Sequence, residues 1–379
     1  MGVISKRTVV VAGHICLDII PIFPETSRGE ISRLFVPGNL ISVENAELHL
    51  GGAVANTGLA MALFGSDVRL MGKVGQDEFG ENVIRILKAH GITGGMILSP
   101  TSHTSYSIVL AIPGHDRFFL HYPGANNTFE FADLDMEVIR QSALFHLGYP
   151  PVMRSLYSND GQELARIFRE VSNVGVATSL DLCAADSNSA AGQADWHAIL
   201  GNTLPYVDIF APSVEEVLFL LDRRKFEWLT REANGRDLPA VIDVQRDAKP
   251  LADLAIEMGA KIALIKCGEP GIYFKTAGSA KIAALEAKLG FSLAGWPDRA
   301  GFEASYLPER FVSATGAGDV AIAAFLTSLL AEYPLETCLS YATAAGACCV
   351  EAHDALGGLR SFGEMQAKMD AGWKKRAVK

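Results

Sequence analysis

One stretch of the sequence combines residue types suited to phosphoryl transfer: Thr315-Gly316-Ala317-Gly318-Asp319, followed by an apolar run. The two glycines favour a sharp turn before a helix, and Ser313 or Thr315 could cap that helix. The N–H groups of residues 316–318 would lie at the positive end of the helix dipole, where anions bind. Asp319 would stand beside the anion. Such an arrangement suits phosphoryl transfer to a hydroxyl, because the carboxylate can accept the hydroxyl proton.

The same segment is open to other interpretations. A tight strand-to-helix turn that ends in a helix acid needs no ligand. The run Gly316-x-Gly318-x-x-Ala321 fits the dinucleotide-binding fingerprint, but that fold requires further strand–helix–strand units, and fewer than fifty residues follow Glu332. The P-loop pattern Gly-x-x-x-x-Gly-Lys-Ser/Thr occurs nowhere in the chain. Both of these nucleotide-loop alternatives are therefore weak.

Composition bounds the class of protein. With 379 residues, 49% of them hydrophobic and 20% charged, the chain can bury the core of one large α/β domain or of two. Its formal net charge of −10 argues against a nucleic-acid-binding surface, which is normally basic. The longest apolar run, Val320–Ala331, is too short to span a membrane. We therefore expect neither nucleic acid nor membrane as a partner.

The cysteines and the N-terminus favour a cytoplasmic location. Residues Met1–Arg7 pass directly into a strand-like run, without the apolar stretch and cleavage site of a signal peptide. None of the cysteines forms a Cys-x-x-Cys pair, and each lies in an apolar segment, which favours buried free thiols in a reducing compartment. The six cysteines are Cys16, Cys183, Cys267, Cys338, Cys348 and Cys349.

The N-terminal part contains two candidate ligand-binding residues. A strand is predicted at Thr8–Ala12, and Asp18 follows just past it, where ligands bind in parallel α/β sheets. Asp18 could accept hydrogen bonds from substrate hydroxyls, or could be an ordinary surface-loop acid. A helix is predicted at Ala53–Phe64 after Gly51-Gly52. Asn56, in the first turn of that helix, could reach a ligand or serve only in capping or packing.

Two segments predict a small β element outside the main sheet. Residues 19–50 contain short β-type runs such as Ile41–Val43 and Glu47–Leu50 and show no helical pattern. Ser105–Ile112 and Phe118–His121 flank a five-residue loop, which indicates a β-hairpin. We expect these segments to form an antiparallel β lid. The predicted boundaries are 19–50 and 102–125 for the lid, and 1–18, 51–101 and 126–379 for the α/β core.

Elsewhere strand and helix signals alternate, which predicts a mostly parallel sheet with helices on both faces. The predicted strands are Val68–Val74, Ala143–Leu147, Ala177–Leu182, Ile209–Ala211, Lys261–Ile265 and Ile272–Lys275. The predicted helices are Glu81–His90, Gly161–Val171, Trp196–Leu200, Pro250–Met258 and Leu335–Ala352. Residues 222–247 are charged with few apolar repeats, and we interpret them as a surface insertion.

Two separated motifs make the chain resemble the ribokinase-like (PfkB-type) carbohydrate kinase family over nearly its whole length. The first motif is Gly51–Asn56 followed by Gly72–Gly80, and the second is Thr315–Asp319. Gly13-x4-Asp18 precedes them, and Gly268-x-x-Gly271 stands upstream of the second motif. The order and separation of these patterns are far more specific than any one glycine loop. The resemblance implies a three-layer α/β/α fold with a mostly parallel central sheet and a small antiparallel β lid.

The resemblance also implies an ATP- and Mg²⁺-dependent kinase that acts on a sugar or nucleoside-like alcohol. In many family members the lid makes the dimer interface, so a homodimer through the lid is expected. The implied site residues are the general base Asp319 with the anion hole Gly316, Ala317 and Gly318; the substrate contacts Asp18, Gly52 and Asn56; the nucleotide contacts Gly268 and Thr315; and the magnesium contact Glu216.

Three positions depart from the family pattern. The usual Asn-x-x-Glu is Ser213-Val214-Glu215-Glu216, which alters one metal or phosphate contact. The usual Asp-Thr-Thr is Ser313-Ala314-Thr315, which lacks an acid that helps shape a monovalent-cation site in some relatives, so potassium activation is not predicted. The aromatic residue usual two positions after the base is Ala321. A sugar kinase, a nucleoside kinase and a catalytically weak binding protein remain alternatives, because specificity depends on side chains that vary on a fixed fold.

Overall fold

The central sheet is buried on both faces, because successive side chains of its strands pack into two different core clusters. Val9 and Val11 pack into one core cluster, and Val10 and Ala12 pack into the other, on the opposite face of the sheet. The computed structural model describes residues 7–29, 31–115 and 117–377. The charged N-terminal stretch before Arg7 and the hairpin-loop residue Asp116, both used in the sequence interpretation, lie outside the described residues.

Strands and helices alternate through most of the chain, as predicted. The strands are β1 (Thr8–Gly13), β2 (Cys16–Pro21), β3 (Ala46–Gly51), β4 (Asp67–Gly75), β5 (Met96–Ser99), β6 (Tyr106–Leu110), β7 (Phe118–Tyr122), β8 (Leu144–Gly148), β9 (Ala177–Asp181), β10 (Ile209–Phe210), β11 (Ile262–Lys266), β12 (Gly271–Thr276) and β13 (Ala300–Ala304). The helices are α1 (Ile31–Leu34), α2 (Ala53–Leu63), α3 (Glu78–Ala89), α4 (Met136–Arg140), α5 (Arg154–Tyr157), α6 (Gln162–Asn173), α7 (Ala190–Gln193), α8 (Trp196–Thr203), α9 (Val214–Leu221), α10 (Arg223–Ala233), α11 (Lys249–Met258), α12 (Ser279–Leu289), α13 (Ala317–Leu330), α14 (Leu335–Cys349) and α15 (Phe362–Asp370).

The main sheet has nine strands in the order β13-β12-β11-β10-β9-β8-β1-β4-β5. In this order, all pairings between neighbouring strands from β11 to β5 are parallel. Only the β11–β12 and β12–β13 pairings, at the other edge, are antiparallel. Because parallel strands all point the same way, their carboxyl ends meet at one edge, which is where ligands bind in such sheets. The predicted mostly parallel three-layer core is confirmed.

A second sheet of four strands, in the order β3-β2-β6-β7, stands apart from the first. We call it the lid sheet. The predicted β6–β7 hairpin is confirmed as an antiparallel pair, and β2 pairs antiparallel with β3 but parallel with β6. This sheet begins at Cys16, so Asp18 lies within a lid strand rather than at the end of a core strand.

The structure differs from the sequence interpretation in three places. The run Ile41–Val43 forms no strand, and residues 31–34 form one short helical turn within the segment predicted to lack helix. The charged insertion at 222–247 contains the helix α10, which buries Leu229 and Ala233 and exposes its charged face. Because the segment is charged and has few apolar repeats, the narrow apolar side of α10 was not recognised in the sequence. No helix in the described part of the chain is long and apolar enough to cross a membrane.

Candidate active site

The turn before α13 has the geometry of an anion-binding turn. Gly316 is the N-cap residue and has φ 75° and ψ −3°, a left-handed conformation that favours glycine. A Cβ at this position would lie 2.3 Å from the Cβ of Ala355, so any side chain would force the turn to move. Position 316 must therefore be glycine. The positive end of the α13 dipole lies at this turn.

The predicted side-chain cap on α13 is wrong. Gly316 occupies the N-cap position and has no side chain to offer, while the Ser313 hydroxyl accepts a hydrogen bond from Thr315 N at 3.1 Å. The N–H of Ala317 donates to Ala314 O at 3.2 Å, which closes the turn. The N–H of Gly318, in the first turn, has no acceptor within the helix itself. Gly316 and Gly318 are thus better placed than Ala317 to donate to an anion.

Asp319 is buried in the first turn of α13, with 3% of its surface exposed. Asn56 Nδ2 and the Tyr149 hydroxyl donate to its Oδ2 atom, at 3.0 and 2.7 Å. The Thr57 hydroxyl donates to Oδ1 at 3.3 Å. Burial, together with the nearby charge of Asp319, raises the pKa of Tyr149 well above its ordinary value, so the phenol stays protonated and acts as the donor.

An ion pair lies beneath the anion turn. Lys266, at the end of β11, donates from Nζ to Asp181 Oδ1 at 2.8 Å, and both side chains are buried. A Cβ on Gly318 would lie 3.4 Å from this Nζ atom. Burial would lower the pKa of Lys266, but attraction to the carboxylates of Asp181, Glu216 and Asp319 outweighs burial and raises it. The Lys266 side chain therefore lies against the turn at Gly318.

Glu216 is the residue that was predicted to contact magnesium. It forms a capping box at the start of α9, where its Oε2 accepts from Ser213 N at 2.7 Å. Its charge acts on Asp181 and Lys266, which brings it into the same acidic group as Asp319. Among the described residues no three His, Cys, Asp or Glu side chains form a ready metal site. Proteins usually hold Mg²⁺ through one or two carboxylates and the substrate phosphates.

Asp18 lies on the polar face of the lid sheet. It stands cross-strand from His49 of β3 and from Ser107 of β6, and Ser107 in turn accepts or donates a hydrogen bond with His121 Nδ1 at 3.1 Å. Cys16 Sγ donates to Asp18 Oδ1 at 3.3 Å. Burial raises the pKa of Asp18 above its ordinary value, against the opposing effects of these hydrogen bonds and of nearby cations. Asp18, His49, Ser107 and His121 thus form a group of polar side chains across neighbouring lid strands.

His14 joins the core to the lid and packs against Gly52. The Ser105 hydroxyl donates to Tyr122 O at 2.8 Å, so it accepts from His14 Nε2 at 3.5 Å, and His14 Nδ1 is left as a bare acceptor. No protein group in the described residues pairs with this buried Nδ1 atom. Burial, and to a smaller extent the charge of nearby His121, lowers the pKa of His14 well below its ordinary value, so the ring is neutral. An unpaired buried acceptor costs ~1–3 kcal/mol, which a ligand donor would offset.

Gly52 is required where the chain enters α2. Its φ is 88°, and a Cβ there would lie 2.5 Å from both His14 Nδ1 and His14 O.

A cleft of about 460 Å³ runs from Asn56 along α2. We call it the α2 cleft. Its apolar lining includes Leu48, Leu59, Leu63 and Ile86.

The lid sheet contacts the anion turn through Arg117. Its guanidinium, at the end of the β6–β7 hairpin loop, donates to the Thr315 hydroxyl and to His353 O, the latter at 3.1 Å. The charge of Arg117 also acts on Asp18. Arg117, which directly precedes β7 of the lid sheet, therefore contacts Thr315, one of the residues that were predicted to contact the nucleotide.

The structure brings most of the predicted residues to one edge of the main sheet. Asn56 bonds to Asp319, and a Cβ on Gly316 would approach the Asn56 side chain to 3.9 Å. Gly268, with φ 66°, follows Lys266 by two residues, and a Cβ there would contact Pro239 rather than any other predicted site residue. Its assignment to the nucleotide therefore stays a prediction.

The sequence analysis missed Thr57, Tyr149, Lys266 and Arg117. Tyr149 follows a predicted strand and precedes two prolines, and Lys266 directly follows another predicted strand. In a parallel sheet, residues just past strand ends are candidates for a ligand site, so this position was an available signal. The roles of Thr57 and Arg117 depend on contacts across 262 and 198 residues of sequence, for which a single sequence offers no signal.

Comparison with known proteins places these features in a family context. Residues 6–360 match the model of the pfkB family of carbohydrate kinases. Fructokinase-1 of Oryza sativa subsp. japonica is 31% identical over 146 residues, which are 38% of this chain and 42% of that protein. The chain thus matches less than half the length of this curated relative.

Two solved structures share the fold. Arabidopsis thaliana ribokinase, in complex with ribose and ATP, superposes with a TM-score of 0.70 at 19% identity, over 96% of this chain and 98% of that chain. A protein from E. coli assigned as a ribokinase II, in complex with ATP and Mg²⁺, gives a TM-score of 0.67 at 20% identity, over 96% of this chain and 99% of that chain.

Replacing Gly316 by Ala should abolish most of the activity of the site. The new Cβ would clash with Ala355, and the alanine would have to adopt a left-handed backbone conformation. We expect the displaced turn to cost at least about 100-fold in turnover, the effect of losing one oxyanion donor. Gly201→Ala is the matched control, since that glycine lies in α8 with open space around it. Steady-state kinetics of both variants test this, and an active Gly316→Ala enzyme would contradict the role of the turn.

Proposed function

Because the chain belongs to the pfkB family of carbohydrate kinases, we propose that it transfers the γ-phosphoryl group of ATP to a hydroxyl, preferably primary, of a sugar or sugar-like acceptor. The observation that carries this proposal is the carboxylate of Asp319, fixed by three hydrogen bonds beside the anion turn of α13. That arrangement supplies both a base for the acceptor proton and dipoles for the developing negative charge.

In the proposed mechanism, Asp319 accepts the proton of the acceptor hydroxyl as the oxygen attacks the γ-phosphorus in line with the leaving oxygen. The N–H groups of Gly316 and Gly318, with a smaller part for Ala317, donate to the transferring phosphoryl group. Lys266, held charged beneath Gly318, adds to the positive potential there. These groups need no reorganisation during the reaction, because the first turn of α13 and the ion pair are already fixed.

The residues that would contact the nucleotide and its metal are assigned from their positions and charges. Thr315 and Gly268 would contact ATP, as expected from the family pattern, at the edge formed by α13 and β11. Glu216 would hold Mg²⁺, and its proximity to Asp181 and Asp319 gives that region the excess of negative charge that a divalent cation requires. The metal would supply charge neutralisation at the phosphates. The altered Ser213 does not remove the Glu216 carboxylate.

The acceptor would lie between the lid sheet and α2. Asp18 and the histidines beside it would accept or donate hydrogen bonds to several hydroxyls, which is what sugar recognition requires. Asn56 would contact the acceptor while holding the base, and Gly52 allows close approach of the backbone. A nucleoside kinase is the second candidate function, and the apolar lining of the α2 cleft favours it, because a base could pack there.

Two further assignments extend the proposal. We assign the protein to the cytoplasm because its six cysteines are free thiols, as expected in a reducing compartment. We assign a second copy of the chain as a partner of the lid sheet, because one face of that sheet carries exposed apolar side chains. They are Leu48, Phe118, Leu120 and Tyr122.

Replacing Asp319 by Asn should lower turnover roughly 10²–10⁴-fold, since the amide cannot take the acceptor proton, while ATP affinity changes little. The measurement is ATP consumption against a panel of sugars, sugar acids and nucleosides, which also identifies the acceptor class. Glu336→Gln is the control, because Glu336 is a first-turn acid of α14 on the surface. Near-normal turnover by Asp319→Asn would remove Asp319 as the base. Nucleotide consumption by neither enzyme, with ligand binding retained, would favour a binding protein.

Replacing Asp18 by Ala should raise the KM for the acceptor about 10- to 100-fold, the value of one or two hydrogen bonds to a charged group. The KM for ATP should change far less, because Asp18 belongs to the lid sheet. Glu44→Ala, at an exposed lid-segment acid, is the matched control. Equal effects of Asp18→Ala on both substrates would mean that Asp18 supports lid closure rather than the acceptor.

Replacing Leu120 by Glu should convert a dimer into monomers, because Leu120 is 56% exposed in the middle of the apolar lid face. Light scattering after size exclusion measures the mass of each species. Leu98→Glu introduces the same charge at an exposed apolar residue of β5, outside the lid sheet, and should leave the dimer intact. A wild-type protein that is monomeric at tens of micromolar would contradict the assignment of a second copy.

A further inference from the structure

Tyr149 has a backbone conformation that a bulky residue seldom adopts. It follows the end of β8 with φ 71° and ψ 40°, in the left-handed region, and two prolines follow it. Strained residues of this kind persist where the surrounding structure holds them for a purpose. Here the conformation brings the phenol to Asp319, where its hydroxyl donates to Oδ2 at 2.7 Å, the shortest of the three hydrogen bonds to that carboxylate.

The two oxygens of Asp319 differ in their surroundings. Oδ1 accepts from Thr57, a fully buried residue at the contact of α2 with α13. Oδ2 accepts from Asn56, which lines the α2 cleft, and from Tyr149, whose ring stacks on His14 with centroids 6.0 Å apart. Oδ2 is therefore the oxygen that contacts Asn56, the residue that also lines the α2 cleft. A carboxylate oxygen offers about two lone-pair positions, and both positions on Oδ2 are taken.

We propose that the Tyr149 hydroxyl caps the general base, and that the acceptor hydroxyl displaces it from Oδ2 of Asp319. This inference rests on the proposed kinase function. While the cap is in place, a water molecule cannot take the position of the acceptor. Displacement needs a ligand with enough other contacts, such as those offered by Asp18 and Asn56, to replace a hydrogen bond to a charged group.

The reaction that the cap prevents is hydrolysis of ATP. In that reaction a water oxygen would attack the γ-phosphorus, the bond from the γ-phosphorus to the β–γ bridging oxygen would break, and the water proton would pass to Asp319. The products would be ADP and inorganic phosphate. The cap thus reserves the base for an acceptor that fills the site, and Tyr149 acts on specificity through the base it covers.

The test compares Tyr149→Phe with the wild type for phosphate release from ATP in the absence of any acceptor. Loss of the hydroxyl frees one position on Oδ2, and we expect hydrolysis to rise about tenfold, the value of one hydrogen bond to a charged group. Tyr157→Phe, on the nearby helix α5, is the control and should behave as the wild type. The double variant Tyr149→Phe with Asp319→Asn should lose the increase, because the hydrolysis depends on the base.

A second readout needs no nucleotide. Calorimetric titration with the acceptor identified by the panel should show tighter binding to Tyr149→Phe by about tenfold, because the competing phenol is gone. Unchanged hydrolysis and weaker acceptor binding in Tyr149→Phe would overturn the cap and make Tyr149 a substrate or positioning residue. Failure of the kinase function has a different signature: no panel compound is phosphorylated by the wild type, and Asp319→Asn does not differ from it.

Discussion

A carboxylate buried at the start of a helix is the constraint on which the site depends. Taking Asp319 out of water is costly unless donors satisfy it, and those donors come from two distant elements: Asn56 and Thr57 from α2, and Tyr149 from the end of β8. The helix dipole at the first turn of α13 adds further stabilisation. The chain can satisfy this carboxylate only if α2, α13 and the central sheet meet at one point. That point is the candidate active site.

The same edge of the sheet must also balance its charges. Asp181, Glu216 and Asp319 contribute three carboxylates, and Lys266 is the buried ammonium paired with one of them. Removing one partner of such a pair leaves an uncompensated buried charge, which destabilises the fold strongly. The residual negative charge is compatible with a divalent cation, whereas the bare N–H groups above it suit an anion. In the proposed function, the cation and anion sites would thus lie side by side, as phosphoryl transfer requires.

Local backbone chemistry explains which parts could be predicted. The turn at Gly316 and the acid at Asp319 follow from a glycine turn before an apolar helix, although the segment before that turn is irregular and not the expected strand end. The β6–β7 hairpin follows from its loop. The helix cap was assigned to the wrong residue because Gly316 itself takes the N-cap position and turns Thr315 away. Tyr149 lies just past a predicted strand, which was an available signal, but nothing near it indicated its partner, 170 residues away. Long-range pairing leaves no pattern in the sequence near either residue, and α10 was hidden by the charges that cover its exposed side.

His14 stands beside two of the four chain connections between the two sheets. The chain passes from β1 to the lid sheet through His14 and returns to the core through Gly52, which packs against the same residue. The backbone of His14 is bonded to the core on both sides, through Gly148 O at 3.3 Å and Val54 N at 3.1 Å. These two connections therefore lie inside the candidate site and not at a remote hinge. If the lid sheet moved about them, Asp18 would move relative to Asp319, because Asp18 lies on β2, four residues after His14.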